Sequence, residues 1–253
     1  MNVVSADWSI LWPAFAAGLL VTLTHVPLGI QVLQRGIVFI DLAVAQIAGL
    51  GVVFADWLGL EPHGVGVQAA ALVAALGGAL ALNWTERVWP DVQEAVIGVS
   101  FIVAANVALL LLAANPHGAE HMKDLLIGQI LWVDAARLAP VALVTAALLW
   151  IWFGWHARIG RAGFYVVFAI AVTLSVQLVG LYLVFTTLIV PALATRAYGK
   201  RRLAMCYALG ALSYAAGLGL SLVSDLPPGP LIVCLMTALG FAVFALGPRR
   251  VPV

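Results

Sequence analysis

Apolar runs dominate the chain, and each is close to the length that crosses a bilayer. A helix rising ~1.5 Å per residue needs ~20 apolar residues to traverse ~30 Å of hydrocarbon. Such runs fall at residues 10–33, 37–55, 64–84, 95–114, 138–155, 162–195, 203–222 and 230–246. The sixth is too long for one crossing and carries Gly180 at its middle and Pro191 near its end. It predicts two crossings turning at Gly180, or one crossing and a re-entrant segment. A further apolar stretch, 125–133, is too short to span and reads as re-entrant or interfacial. The pattern predicts an all-α, polytopic membrane helix bundle of eight to nine transmembrane segments. With no linker, low-complexity segment or convincing internal repeat, residues 1–253 read as a single integral-membrane domain.

Composition excludes the soluble alternative. The chain is 64% hydrophobic and 9% charged, whereas a soluble domain spends roughly a quarter of its residues on charge. Lipid must form its exterior. A net charge of +1, with Lys200, Arg201 and Arg202 as the only basic run, argues against nucleic-acid binding. Cys206 and Cys234 each stand alone in an apolar stretch and read as core residues, outside any disulfide framework. The first run follows Asp7 with no Lys or Arg before it, the wrong flank for a cleavable signal, so it is expected to be a permanent span.

Positive residues are retained on the cytoplasmic side during insertion. With the N-terminus outside and two crossings in the sixth run, Arg35, Arg87, Arg158, Arg161, Arg196, Lys200, Arg201, Arg202, Arg249 and Arg250 are cytoplasmic. Lys123 and Arg137 alone are outside. This predicts nine crossings of a bacterial inner membrane and a cytoplasmic C-terminus. Trp8, Trp57, Trp84, Trp89, Trp132 and Trp155 fall near span ends, as amphipathic rings do.

An ionisable group among apolar residues costs a few kcal/mol or more unless it faces a cavity or partner. By residue count from Arg35, His25 and Gln46 share a depth and could face one another across the first hairpin, with Asp41 nearer the cytoplasm. Thr186 and Thr187 return to the level of His25, and Gln177 lies higher. His25, Asp41, Gln46, Gln177, Thr186 and Thr187 therefore form a candidate polar path, with His25 and Asp41 its metal-ligating members. The alternatives are structural: Asp41 pairing with Arg35, and His25, Gln177 and the threonines bonding neighbouring helices. In the loop 115–124, His117, Glu120 and His121 have a spacing that could capture an external zinc or manganese ion, or simply form a polar tip. No Gly-x-x-x-x-Gly-Lys phosphate loop occurs, so any ATP hydrolysis belongs to another polypeptide.

Five segments resemble the membrane subunit of zinc/manganese-type ABC importers. They are RGIVFIDLAVAQIAGLG (35–51), EAVIGV (94–99), DLLIGQILW (124–132), VGLYLVFTTLIVPALA (179–194) and GLGLSLVSDLPPGP (217–230). The resemblance implies an ABC importer permease, not an enzyme. It implies a homodimer driven by a separate ATPase and fed by a periplasmic metal-binding protein. Zinc or manganese would be cargo, with no permanently bound cofactor. Two departures stand out. The family's Asp-x-x-x-His signature falls on Leu42 and Gln46, with Asp41 one place early, so His25 is expected to compensate. The cytoplasmic loop expected to dock on the ATPase is reduced to HARIGRAG (156–163), leaving Arg158 and Arg161, with Arg196 to Arg202 (including Arg201), as possible contacts. A secondary transporter or channel of the same fold, or a permease for a metal chelate, are the competing readings. Pro191 and Gly180 are expected to break the backbone and open carbonyls to the path.

Overall fold

Breaks between the apolar runs become breaks between helices in the computed structural model, which describes residues 8–61, 64–112, 130–155, 158–224 and 226–248. These residues form nine α-helices: α1 Trp8–Arg35, α2 Ile40–Trp57, α3 Val65–Val88, α4 Gln93–Leu112, α5 Ala135–Trp155, α6 Arg161–Val179, α7 Leu181–Ala194, α8 Arg202–Ser224 and α9 Pro228–Leu246. Seven described helices are long and apolar enough to cross a membrane, and α7 is a shorter apolar helix of 14 residues. The long sixth run is cut where its glycine allows. Gly180 has φ 86°, a conformation L side chains rarely adopt, and it separates α6 from α7. Pro191 lies inside α7 without interrupting it, so only one of the two expected breaks forms. Of the stretch 125–133, residues 130–132 make a single 3-10 turn and 125–129 lie outside the described residues.

Proline in a helix removes one backbone donor and leaves the carbonyl four residues earlier unbonded. Pro27 does this to Leu23 within α1. The Tyr207 hydroxyl on α8 donates to that carbonyl at 3.2 Å. The proline is thus matched by a cross-helix bond, which helps α1 run on to Arg35.

Small residues set the closest approaches, as they do where helices pack in lipid. A Cβ on Gly18 would strike the Tyr214 ring, and one on Gly210 would meet Thr22 Cγ2 at 2.6 Å, so α8 runs antiparallel to α1. A Cβ on Gly29 would strike the Leu188 carbonyl, which places α7 against α1. In α2 and α3, Gly51 faces Ala70 and Gly78 faces Ile47, again antiparallel. On α8, Gly217 and Ser221 are buried, with Gly217 against Ile232 of α9, while Ala215 and Gly219, also a turn apart, are exposed.

Helix α1 packs on α5, α6, α7 and α8, whereas α2 packs on α3, α4 and α6. The two helices joined by the turn at Gly36 therefore do not lie along one another. Each buries its apolar face on later helices, around a core that includes Phe164, Tyr165, Phe168 and Tyr214. The facing of His25 and Gln46 across a first hairpin is consequently not formed. Cys206 is buried as expected, but Cys234 lies on the exposed side of α9. Trp57, Trp84, Trp89, Trp132 and Trp155 are all exposed near helix ends.

Contacts also fix the polarity of the bundle. Arg35 meets Glu86 at the end of α3 and Phe164 at the start of α6, while Tyr198, just after α7, bonds the Val243 carbonyl near the end of α9. Arg35, Arg87, Arg158, Arg161, Arg196, Lys200, Arg201 and Arg202 therefore gather at one end, and Arg137 begins α5 at the other. Arg249, Arg250 and Lys123 lie outside the described residues.

Candidate translocation path

His25 and Asp41 are both fully buried, and each retains bonding capacity that no side chain or backbone group among the described residues uses. His25 sits mid-helix in α1. Its Nδ1 lies 3.0 Å from the Val21 carbonyl, one turn earlier, and 3.0 Å from Thr24 Oγ1. Donation from Nδ1 to that carbonyl selects the tautomer whose bare nitrogen is Nε2. Nε2 is buried with no hydrogen-bond partner among the described residues. A backbone carbonyl holding one ring nitrogen while the other is left free is how proteins orient imidazole as a metal ligand.

Asp41 lies in the first turn of α2, where a carboxylate is favoured by the helix dipole. Among the described residues neither of its oxygens has a hydrogen-bond partner. The alternative in which Asp41 pairs with Arg35 is not realised, because Arg35 goes to Glu86 at 3.9 Å and stacks its guanidinium 4.2 Å from the Phe164 ring centroid. Ala45 and Ala48, which share the helical face of Asp41, belong to the main core. Gln46 is buried in line with Leu50 and Val53, the stripe that meets Ala108 and Leu112 of α4. The residues expected to act together thus point from α2 in different directions. Among the described residues no group of three His, Cys, Asp or Glu side chains converges.

Thr186 and Thr187 are buried on α7 and donate to the carbonyls of Tyr182 and Leu183, each at 2.7 Å. The Thr187 proton being so used, Tyr214 donates to Thr187 Oγ1 at 3.0 Å. Gln177 is exposed on α6. His117, Glu120 and His121 lie outside the described residues. Arg158, Arg161, Arg196 and Arg201 are all exposed at the basic end, where Arg196 stacks 5.0 Å from the Phe244 ring centroid. Residues 156–160 alone join α5 to α6, which leaves no length for a docking helix.

Sequence reasoning missed the layer that closes the basic end. Beside the Arg35 and Glu86 pair, Gln93 donates to the Leu82 carbonyl at 2.9 Å and accepts from Thr85 at 3.0 Å. Glu94 accepts the Phe39 backbone N–H at 3.2 Å, which ties the turn between α1 and α2 to α4. A usable signal was present: Glu86, Gln93 and Glu94 are the polar residues flanking a short Pro-containing turn.

A multi-pass helical bundle with unpartnered ligand-type groups inside it defines a membrane transport subunit. The ABC 3 transport family model matches residues 7–160 and 153–247, nearly the whole chain, and the chain belongs to that family of ABC transporter permeases. By family it is a transporter permease. The high-affinity zinc uptake system membrane protein ZnuB of Haemophilus influenzae is 23% identical over 248 residues, covering 89% of this chain and 93% of that protein. The solved PsaBC of Streptococcus pneumoniae, in complex with Fab, superposes with TM-score 0.78 at 19% identity, covering 96% of this chain and 94% of that one. An inward-facing conformation described as that of a metal-chelate type ABC transporter superposes with TM-score 0.66 at 17% identity, covering 92% and 85%. At these identities the two solved structures speak for the fold.

Proposed function

We propose that the chain is the permease of an ATP-driven importer of a divalent transition metal, zinc or manganese, with its basic end in the cytoplasm of a bacterial inner membrane. It works as a homodimer, with a separate ATPase at the cytoplasmic face and a periplasmic metal-binding protein delivering the cargo. His25 and Asp41 supply imidazole and carboxylate to the passing metal, and Thr186 and Thr187 of α7 supply softer contacts. The observation that carries this reading is the bare Nε2 of His25, buried in the middle of α1 while Nδ1 is held by Val21. An amide at Gln46 is a weak ligand for a first-row metal, so an imidazole elsewhere must take the role that the family signature gives to His. The relationship to a zinc uptake protein favours zinc among the candidates.

Radioactive zinc and manganese uptake into cells expressing the whole transporter, with His25→Ala and Asp41→Ala beside the wild type at matched membrane abundance, tests the assignment. Loss of uptake in both variants is expected. Undiminished uptake in His25→Ala removes the imidazole from the path.

A second reading is favoured by the link between α5 and α6. Without a docking helix there, the same bundle acts as a secondary transporter or channel that has lost ATP coupling. Co-purification separates the two, because an uncoupled permease comes out of the membrane without an ATPase and still passes metal in proteoliposomes.

A further inference from the structure

Four links join helices at the basic end: residues 36–39, 89–92, 156–160 and 195–201. The first is drawn inward by the bond from the Phe39 N–H to Glu94, and the second holds no cation. The third is the one too short for a docking helix. The fourth, between α7 and α8, is the longest, and it exposes Arg196, Lys200 and Arg201.

Positive charge by itself only marks the cytoplasmic side, and a loose loop would serve for that. The link between α7 and α8 is instead bound by three helices. Thr195, fully buried, donates to the Pro191 carbonyl of α7 at 2.8 Å and lies 2.9 Å from the Cys206 sulfur of α8. Arg202, which begins α8, donates to the Ala192 carbonyl at 2.9 Å. Tyr198 donates to the Val243 carbonyl of α9 at 2.9 Å, and its ring stands where a Cβ on Gly247 would go. Arg196 stacks on Phe244 of the same helix. The three cations are thus presented on a fixed frame. That frame also leads inward. Leu188 lies seven residues before Thr195, about 10 Å along α7, and its carbonyl is the group that a Cβ on Gly29 would strike. Gly29 is one turn from His25 on α1. A push on the link therefore reaches α1 beside His25 through close backbone packing.

We propose that the link 195–201 is the surface on which the separate ATPase docks, through an acidic groove that receives Arg196, Lys200 and Arg201, in place of the helix missing between α5 and α6. The inference rests on the ATP-driven reading and gives it a contact site. Complementary exposed charges steer association and fix its register, and their attraction is screened as salt rises.

From cells expressing the whole transporter, the tagged permease is purified at low salt and the ATPase that accompanies it is quantified. The wild type is expected to bring the ATPase with it and to release it as sodium chloride is raised. The Arg196→Gln/Lys200→Gln/Arg201→Gln variant, altered only at exposed positions, is expected to retain roughly tenfold less. Lys200→Glu/Arg201→Glu, which leaves the stack of Arg196 on Phe244 in place, is expected to lose the ATPase at the wild-type unfolding temperature, so that a folding defect does not account for the loss. Arg158→Gln/Arg161→Gln is expected to retain it undiminished. Full retention by both variants of the link, or loss in the Arg158 and Arg161 variant alone, overturns the proposal and leaves the ATP-driven reading intact. A wild type that carries no ATPase at low salt overturns both.

Discussion

Arg35, the last residue of α1, lies 3.9 Å from Glu86 in the last turn of α3, and its guanidinium covers the face of Phe164 at the start of α6. Three helices distant in sequence are joined by one side chain. Both partners are largely buried, at 19% and 14% side-chain exposure, so removing one leaves the other poorly solvated. Glu86→Gln is expected to lower stability by about 1–3 kcal/mol, and Arg35→Ala by at least as much. Arg35→Lys keeps the charge but loses the planar stack on Phe164, and should recover only part of the loss. Thermal unfolding in detergent of the singles and the double variant measures the pair. A coupling energy indistinguishable from zero would show that the two residues act independently.

Gly29 is placed for a different reason. Its φ is ordinary, but a Cβ there would run into the Leu188 carbonyl, and backbone cannot swing aside as a flexible side chain can. Gly29→Ala must therefore push α7 away from α1, disturbing the helix that carries Thr186 and Thr187. A loss of several kcal/mol is expected, in the class of overpacked cores. Gly98→Ala in α4 is the matched control, since nothing lies within 4 Å of its new Cβ and the helix gains propensity. Unfolding temperatures that fall for Gly29→Ala and hold or rise for Gly98→Ala are the expected result.

The helices themselves were legible because lipid enforces a simple rule, apolar length against ~30 Å, and the turn at Gly180 was legible because glycine alone tolerates its conformation. Partner choice was not. The expected facing of His25 and Gln46 rested on equal depth in a hairpin, but α1 and α2 pack on other helices, and depth carries no information about direction. In the same way the alternative that paired Asp41 with Arg35, six residues away, rested on nearness in sequence, whereas the ion pair goes to Glu86 across the bundle. The departure of the α5 to α6 link from the family pattern was visible from residue count alone, and the helix bounds agree with it. Cys234 failed as a core residue because a membrane protein exposes apolar side chains as readily as it buries them.

Thr187 and Tyr214 join α7 to α8 through a hydroxyl pair at 3.0 Å, both side chains being fully buried. Interhelical hydrogen bonds in membranes average only about 0.6 kcal/mol, since the alternative state also finds partners. Tyr214→Phe and Thr187→Val should each lower stability by roughly that amount, and the double variant by little more than either alone. Tyr214→Ala is different in kind: it removes the ring against Gly18 and should cost about 3–5 kcal/mol by opening a cavity. If the phenol were part of a metal path, Tyr214→Phe would reduce uptake while barely moving the unfolding temperature. Parallel uptake and unfolding measurements distinguish the two roles.

Asp41 offers the sharpest separation of function from stability. Its carboxyl group is fully buried in the first turn of α2, and neither oxygen has a hydrogen-bond partner among the described residues. A polar group held that way costs the fold free energy in the resting bundle, by about 1–3 kcal/mol on mutational scales. That cost is offset if the group is satisfied at another time, for instance when cargo passes. Asp41→Val deletes the polar group while keeping a branched side chain of moderate size. The expected outcome is an unfolding temperature equal to or above that of the wild type, together with loss of metal uptake, the trade-off found where a strained site serves activity. An Asp41→Val protein that unfolds several degrees earlier would mean that the carboxyl has a structural partner, and its place in the path would be lost. A stable variant that still takes up metal at the wild-type rate would leave His25 as the remaining ligand candidate in the first two helices.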